Sequence, residues 1–262
     1  MQVKQLSAVI PGAVNTYCPG CEHGLLLKFI AMALEELGVT EKAIMVGSVG
    51  CSTLAFKFLN VDYVQAPHGR APAIMTGIKE VEPGAIVFAV QGDGDALSIG
   101  LQELIHAANR GIPITVFMYN NMVFGMTGGQ MAPTTPEGMV TTTTPFGRNT
   151  KASGPPINSC ELLSCLSGPS YIRRVIIAPK PIQLKDRVMY SSKEANESYR
   201  AVVSALKTQM MGGFSYVEFL GTCNVNWKMS ITDSKKYAHE VSAKVFPPRL
   251  FRDRFGVDSI ES

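Results

Sequence analysis

The stretch Ala85-Ile86-Val87-Phe88-Ala89-Val90-Gln91-Gly92-Asp93-Gly94-Asp95 decides the fold, together with Ile114-Thr115-Val116-Phe117-Met118-Tyr119-Asn120-Asn121. Residues 85–90 are a continuous apolar run, long enough for a strand buried on both faces. Residues 96–110 carry Leu97, Leu101, Leu104, Ile105 and Ala108 at helical spacing, and Gly111 stops that helix. Residues 114–119 read as a second buried strand. Strand, helix and strand predict a right-handed crossover between parallel strands. Asp93 and Asn121 then leave the sheet at one carboxyl edge, where open α/β sheets bind ligands.

A carboxylate and a carboxamide so placed can share a magnesium ion, which favours a few protein oxygens plus phosphates. Gly92 and Gly94 flank Asp93 and let backbone approach a phosphate oxygen. The helix that follows offers amide donors and positive potential. Together these point to a magnesium diphosphate. Two other readings compete. One is an acidic turn with Asp95 as a plain N-cap. The other is a dinucleotide site, but Gly92-Asp93-Gly94-Asp95-Ala96-Leu97 lacks the third glycine of that motif.

Outside this unit the chain continues to alternate. Residues 22–37 read as helix with Gly38 as stop, 43–46 as strand, and 72–81 as helix. Residues 161–166 read as helix, 171–177 as strand, 193–211 as a long amphipathic helix, and 214–220 as strand. Residues 134–156, rich in Thr, Pro and Gly, are long for a plain connection and suggest a functional loop over a site. The expected fold class is a doubly wound, mostly parallel α/β domain over residues 1–228. A charged tail, 229–262, follows and is expected to make a subunit contact.

The 262 residues are 46% hydrophobic and only 17% charged, a lean surface that suggests cover by partner chains. A net charge of +3 gives no argument for nucleic acid. No apolar run is long enough for a membrane span and no leader opens the chain, so a cytoplasmic protein is expected. The six cysteines then read as thiols or metal ligands rather than disulfides.

Cys18 and Cys21 form a C-x2-C pair around Pro19-Gly20, and Cys51 and Cys223 each follow a predicted strand. Four thiolates suit structural zinc as well as other metals, and a redox dithiol would need only two of them. Cys160 and Cys165 lie among leucines and read as core residues.

Several motifs in order resemble the β subunit of the 2-oxoacid:ferredoxin oxidoreductases. They are Tyr17-Cys18-Pro19-Gly20-Cys21, Val49-Gly50-Cys51-Ser52, His68-Gly69-Arg70-Ala71, the Gly92–Asp95 turn with Asn120-Asn121, and Phe124-Gly125-Met126-Thr127-Gly128-Gly129-Gln130 before Pro133-Thr134-Thr135. The resemblance spans roughly residues 15–228. It implies a thiamine-diphosphate-binding fold, with Asp93, Asn121 and the Val123 carbonyl on magnesium. It implies one [4Fe-4S] cluster on Cys18, Cys21, Cys51 and Cys223. Gly92, Gly94, Asp95, Cys51, Ser52, His68, Gly69, Arg70, Thr127 and Gly128 are expected beside the cofactor.

The implied reaction is oxidative decarboxylation of a 2-oxoacid, with 2-oxoisovalerate favoured over 2-oxoglutarate. Coenzyme A would take the acyl group, and ferredoxin the electrons. The glutamate that activates thiamine diphosphate is expected on an α subunit, with γ and δ subunits as further partners. A non-redox thiamine enzyme would share the Asp93 and Asn121 motif but has no use for the four cysteines. A zinc-stabilised binding protein would use the cysteines alone. His23 is expected as a cap or a neighbour of the cysteines, His106 as structural, and His239, Lys235, Lys236 and Lys244 as solvated.

Overall fold

The computed structural model describes residues 5–185 and 187–259. In chain order the strands are β1 (Ala43–Gly47), β2 (Asp62–Gln65), β3 (Ile86–Gly92), β4 (Thr115–Asn120), β5 (Val123–Phe124), β6 (Gln130–Met131), β7 (Tyr171–Ile176), β8 (Pro181–Leu184), β9 (Arg187–Tyr190), β10 (Ser215–Leu220) and β11 (Arg249–Asp253). The main helices are α1 (His23–Glu36), α2 (Ala71–Val81), α3 (Leu101–Asn109), a short α4 (Thr150–Ser153), α5 (Ser159–Ser164), α6 (Lys193–Met210) and α7 (Ile231–Tyr237).

Seven strands form one sheet in the order β11-β7-β10-β4-β3-β1-β2. Every pairing is parallel except β11 with β7. The strands β3, β4 and β10 are buried almost throughout because helices cover both faces, which explains the apolar runs of β3 and β4. One face packs against α1 and α6 through Leu26, Ile30, Leu34, Val202 and Leu206. The other packs against α2 and α3 through Met75, Leu104 and Ala108. Among the described residues no helix is long and apolar enough to cross a membrane.

The expected doubly wound fold is present, with three differences. The helix over 96–110 is two pieces: a π-helical turn at Asp95–Ile99 and then α3, joined at Gly100. The Gly100 N–H reaches back five residues to the Asp95 carbonyl (3.0 Å). The break lies where two stretches of backbone approach closely. Gly100 backbone lies so close to Gly69 that a Cβ on Gly69 would sit 2.6 Å from the Gly100 nitrogen. Second, the described residues of the 229–262 tail do not all stand apart, because β11 joins the main sheet as its edge strand. Third, the β8–β9 hairpin lies where no strand was expected.

Candidate functional site

The parallel topology sends the loops after β1, β2, β3, β4 and β10 to one edge of the sheet. Those loops carry Cys51, His68, Asp93, Asn121 and Cys223 in turn. A cavity of about 120 Å³ opens there. Its wall includes Cys51, Ser52, His68, Gly92, Asp93, Gly94, Asp95, Asn121, Val123 and Thr127, ten of the residues singled out from the sequence. Tyr119, His23 and Phe124 also line it.

Asp93 is 1% exposed, and Asn121 is also buried. Thr134 Oγ1 donates to Asp93 Oδ2, and among the described residues no cationic side chain pairs with this carboxylate. Burial pushes the Asp93 carboxyl up to about 7. The Gly94 and Asp93 backbone N–H groups also bond to it, but a buried carboxylate with no cation beside it remains costly. Asn121 Oδ1 accepts the Val123 N–H (3.3 Å), and both residues line the cavity. Ser52 Oγ is buried against the same cavity and has no hydrogen-bond partner. A carboxylate lacking a counter-ion, a neighbouring carboxamide and an orphaned hydroxyl fit a magnesium diphosphate.

Gly94 is required by close approach. A Cβ there would meet the Phe124 ring at 2.2 Å. Asp95 is not a plain N-cap. Its Oδ1 accepts the Gly69 N–H (2.9 Å) and lies 2.5 Å from His68 Nδ1, while Gln91 Nε2 donates to Oδ2. Asp95 therefore fastens the His68 turn to the cavity edge.

Three expected residues, Gly69, Arg70 and Gly128, do not line the cavity. Arg70 is directed outward: its guanidinium donates to Glu103 and to the Ile99 carbonyl (3.2 Å). Gly128 is exposed in the turn beyond Thr127, whose own hydroxyl donates to Gln130 (2.6 Å). Gly69 acts through its backbone on Asp95 rather than on the cavity.

The cysteines gather at the adjoining corner. The Cys51 and Cys223 sulfurs both lie near Gly125, within 3.5 and 3.8 Å of where a Cβ on that glycine would stand. Desolvation pushes the Cys51 thiol up to about 11, with Cys223, Cys18 and Asp93 adding to the rise. Burial likewise pushes Cys21 up to about 12 and raises Cys223. Yet among the described residues no three His, Cys, Asp or Glu side chains converge as a metal site requires. The donor types suit an iron–sulfur cluster; the sulfurs are neighbours rather than a formed cage.

His23 packs between Tyr17 and Tyr119, with ring centroids 5.0 and 3.7 Å away, and its Nδ1 lies 3.1 Å from Cys21 Sγ. Burial drives its pKa down to about 3, so it is neutral. Lys235 is not solvated. It is 6% exposed and pairs with the buried Glu22 and the Gly20 carbonyl (3.0 Å). Glu22 also accepts from Tyr119 Oη (2.8 Å) and from the Thr222 N–H (2.9 Å). This network ties the Cys21 loop to the Cys223 loop. His239 is half-buried and bonded to the Ala178 carbonyl (2.9 Å). Cys160 is buried as expected, whereas Cys165 is exposed.

The Thr-rich segment 134–156 does cover the site edge. Thr135 Oγ1 donates to the Met122 carbonyl (2.6 Å), and Trp227 Nε1 donates to the Asn121 carbonyl (3.0 Å). Arg148, buried inside the segment, fans out to the carbonyls of Pro133, Thr135 and Gly154. Arg148 and Trp227 were missed from sequence because neither lies in a motif.

Residues 48–180 match the thiamine pyrophosphate enzyme family, C-terminal TPP binding domain. The chain is 31% identical to the 2-oxoglutarate synthase subunit KorB of Archaeoglobus fulgidus, over 94% of this chain and 80% of that protein. The chain belongs to the 2-oxoacid oxidoreductases, within the thiamine pyrophosphate enzymes. The chain is 44% identical to the ketoisovalerate oxidoreductase subunit VorA of Methanothermobacter thermautotrophicus, over 91% of this chain and 48% of that protein. It thus spans about half the length of the VorA relatives it matches. Its fold superposes on 2-oxoglutarate:ferredoxin oxidoreductase from Magnetococcus marinus with a TM-score of 0.72 at 24% identity, covering 97% of this chain and 86% of that one.

Proposed function

We propose that this chain is the thiamine-diphosphate-binding β subunit of a CoA-acylating 2-oxoacid:ferredoxin oxidoreductase. The observation that carries this reading is the buried pair Asp93 and Asn121 in one cavity, with the carboxylate lacking any protein cation among the described residues. Bound thiamine diphosphate supplies the electron sink for decarboxylating a 2-oxoacid. Asp93, Asn121 and the Val123 carbonyl hold the magnesium ion. Ser52 and the Gly92–Gly94 turn face the diphosphate. His68, fixed by Asp95, stands at the cavity wall, where it can orient substrate or cofactor oxygens.

The [4Fe-4S] cluster would be held by Cys18, Cys21, Cys51 and Cys223. The three raised thiols must lose protons as metal binds, which makes loading easier as pH rises. The activating glutamate is assigned to an α subunit, and the outer side of residues 229–262 to a subunit contact. The higher identity to VorA than to KorB favours 2-oxoisovalerate over 2-oxoglutarate.

The test is the reconstituted complex, assayed anaerobically against a panel of 2-oxoacids with coenzyme A and a viologen dye. Branched-chain 2-oxoacids should give the highest kcat/KM. Dye reduction that needs no coenzyme A, or no 2-oxoacid turned over with thiamine diphosphate present, would defeat the reading. A colourless, zinc-loaded protein that binds no thiamine diphosphate would favour the zinc-stabilised alternative.

A further inference from the structure

Asn120 stands next to the expected magnesium ligand Asn121 but does not line the cavity. It is 1% exposed, and its two side-chain ends do opposite things. Nδ2 donates to Glu218 Oε1 on the neighbouring strand (2.7 Å). Oδ1 accepts the Met122 N–H (3.1 Å).

Glu218 is fully buried, and its other oxygen is already engaged. Oε2 accepts from Arg174 Nε (2.8 Å), Ser159 Oγ (2.7 Å) and Cys160 Sγ (3.3 Å). Arg174, also buried, is anchored in turn on Glu161 (2.8 Å) and Asn158. A carboxylate can only accept, so the Asn120 amide group must face Glu218 and its carbonyl must face Met122.

That orientation matters because Met122 adopts a φ of 61°, in the left-handed region that side-chain-bearing residues rarely occupy. The Asn120 carbonyl accepting an N–H two residues on is the local bond that favours such a turn. Thr135 and Trp227 then take up the Met122 and Asn121 carbonyls from outside. Each peptide between Asn121 and Val123 thus has a fixed direction.

We propose that Asn120, oriented by the buried Glu218–Arg174 pair, is a positioning residue that sets the turn presenting Asn121 and Val123 to the diphosphate-bound cation. The ligand named here rests on the thiamine diphosphate reading above. The turn geometry does not.

The test is a cycle of Asn120→Asp, Glu218→Gln and the double variant N120D/E218Q, each made in the full chain. Asn120→Asp sets two carboxylates against each other. Glu218→Gln sets two amide donors against each other. The double variant reverses donor and acceptor between the two positions, keeps the net charge, and leaves an oxygen to accept from Met122.

Amide hydrogen exchange over residues 119–124, without cofactor, should accelerate about tenfold or more in each single variant and return to within about threefold of wild type in the double. The magnesium concentration that half-saturates thiamine diphosphate binding should follow the same pattern. Recovery in the double variant cannot come from general unfolding. Unchanged exchange in the single variants, or a double variant no better than either, overturns the positioning role whatever the ligand. A wild-type chain that binds no thiamine diphosphate with magnesium overturns the ligand assignment, while the exchange data still decide the turn.

Discussion

Two corners of the same sheet edge are built differently. Around Asp93 and Asn121 the protein supplies its own scaffold: Thr134, Thr135, Trp227 and Asn120 hold the loops through buried hydrogen bonds. Around the four cysteines it supplies donor atoms without closing them into a cage, and the framework lies one step back, in Glu22, Thr222, Tyr119 and Lys235. The contrast teaches where binding energy is spent. A diphosphate site of this kind is formed before its ligand arrives. A thiolate cluster draws its ligands together on binding, so part of its binding energy goes into ordering the loops.

The largest expected effect separates the two corners. If Asp93 holds the magnesium ion as proposed, Asp93→Ala should lower thiamine diphosphate affinity by about 100-fold or more, the upper end of what losing even a neighbour of a metal ligand costs. It should leave intact the visible absorption of iron–thiolate and its bleaching by dithionite. The converse variant, Cys18→Ala, outside the cavity wall, should remove that absorption and spare thiamine diphosphate binding measured by calorimetry. If either variant removes both signals while the fold persists by circular dichroism, the corners are one unit and the comparison fails.

Next in size is the buried clip behind the cysteines. Lys235→Met leaves Glu22 buried without its cation and should cost about 3–5 kcal/mol in urea unfolding. The exposed pair Lys193–Glu197 provides the reference: Lys193→Ala should change stability by less than about 0.5 kcal/mol. Equal effects would show that the Glu22 network is not the framework described here.

The smallest expected effect tests the other scaffold. Trp227→Phe removes one hydrogen bond, to the Asn121 carbonyl, and should cost about 1 kcal/mol of stability. It should weaken magnesium-dependent thiamine diphosphate binding while leaving the iron signal unchanged. A shift in the iron signal instead would place Trp227 with the cysteine corner.

The legibility of these two corners from sequence also differs, for physical reasons. The strands β3 and β4 are buried on both faces, so their apolar runs are unbroken and Asp93 and Asn121 follow at fixed positions. The π-helical turn before α3 left no such mark; it lies where Gly100 backbone passes close to Gly69, a contact between residues far apart in sequence. Lys235 looked solvated because a lysine on a charged helix ordinarily is. Its partner Glu22 lies 213 positions away and is visible only after folding. Arg70 carried the charge expected beside a phosphate, but Glu103, one helix over, captures it. Glu218 sits between Val217 and Phe219 and Arg174 between Arg173 and Val175, on strands far apart in sequence, and nothing local shows that they face each other. Motifs reveal the atoms that meet a ligand; the residues that aim those atoms are set by tertiary pairing.

The most direct measurement is isothermal titration of thiamine diphosphate into the wild-type protein and into Asp93→Ala, each with and without magnesium. The account predicts binding to the wild type that requires magnesium and is lost in Asp93→Ala. Binding that is independent of magnesium, or that survives in Asp93→Ala at wild-type affinity, would contradict it.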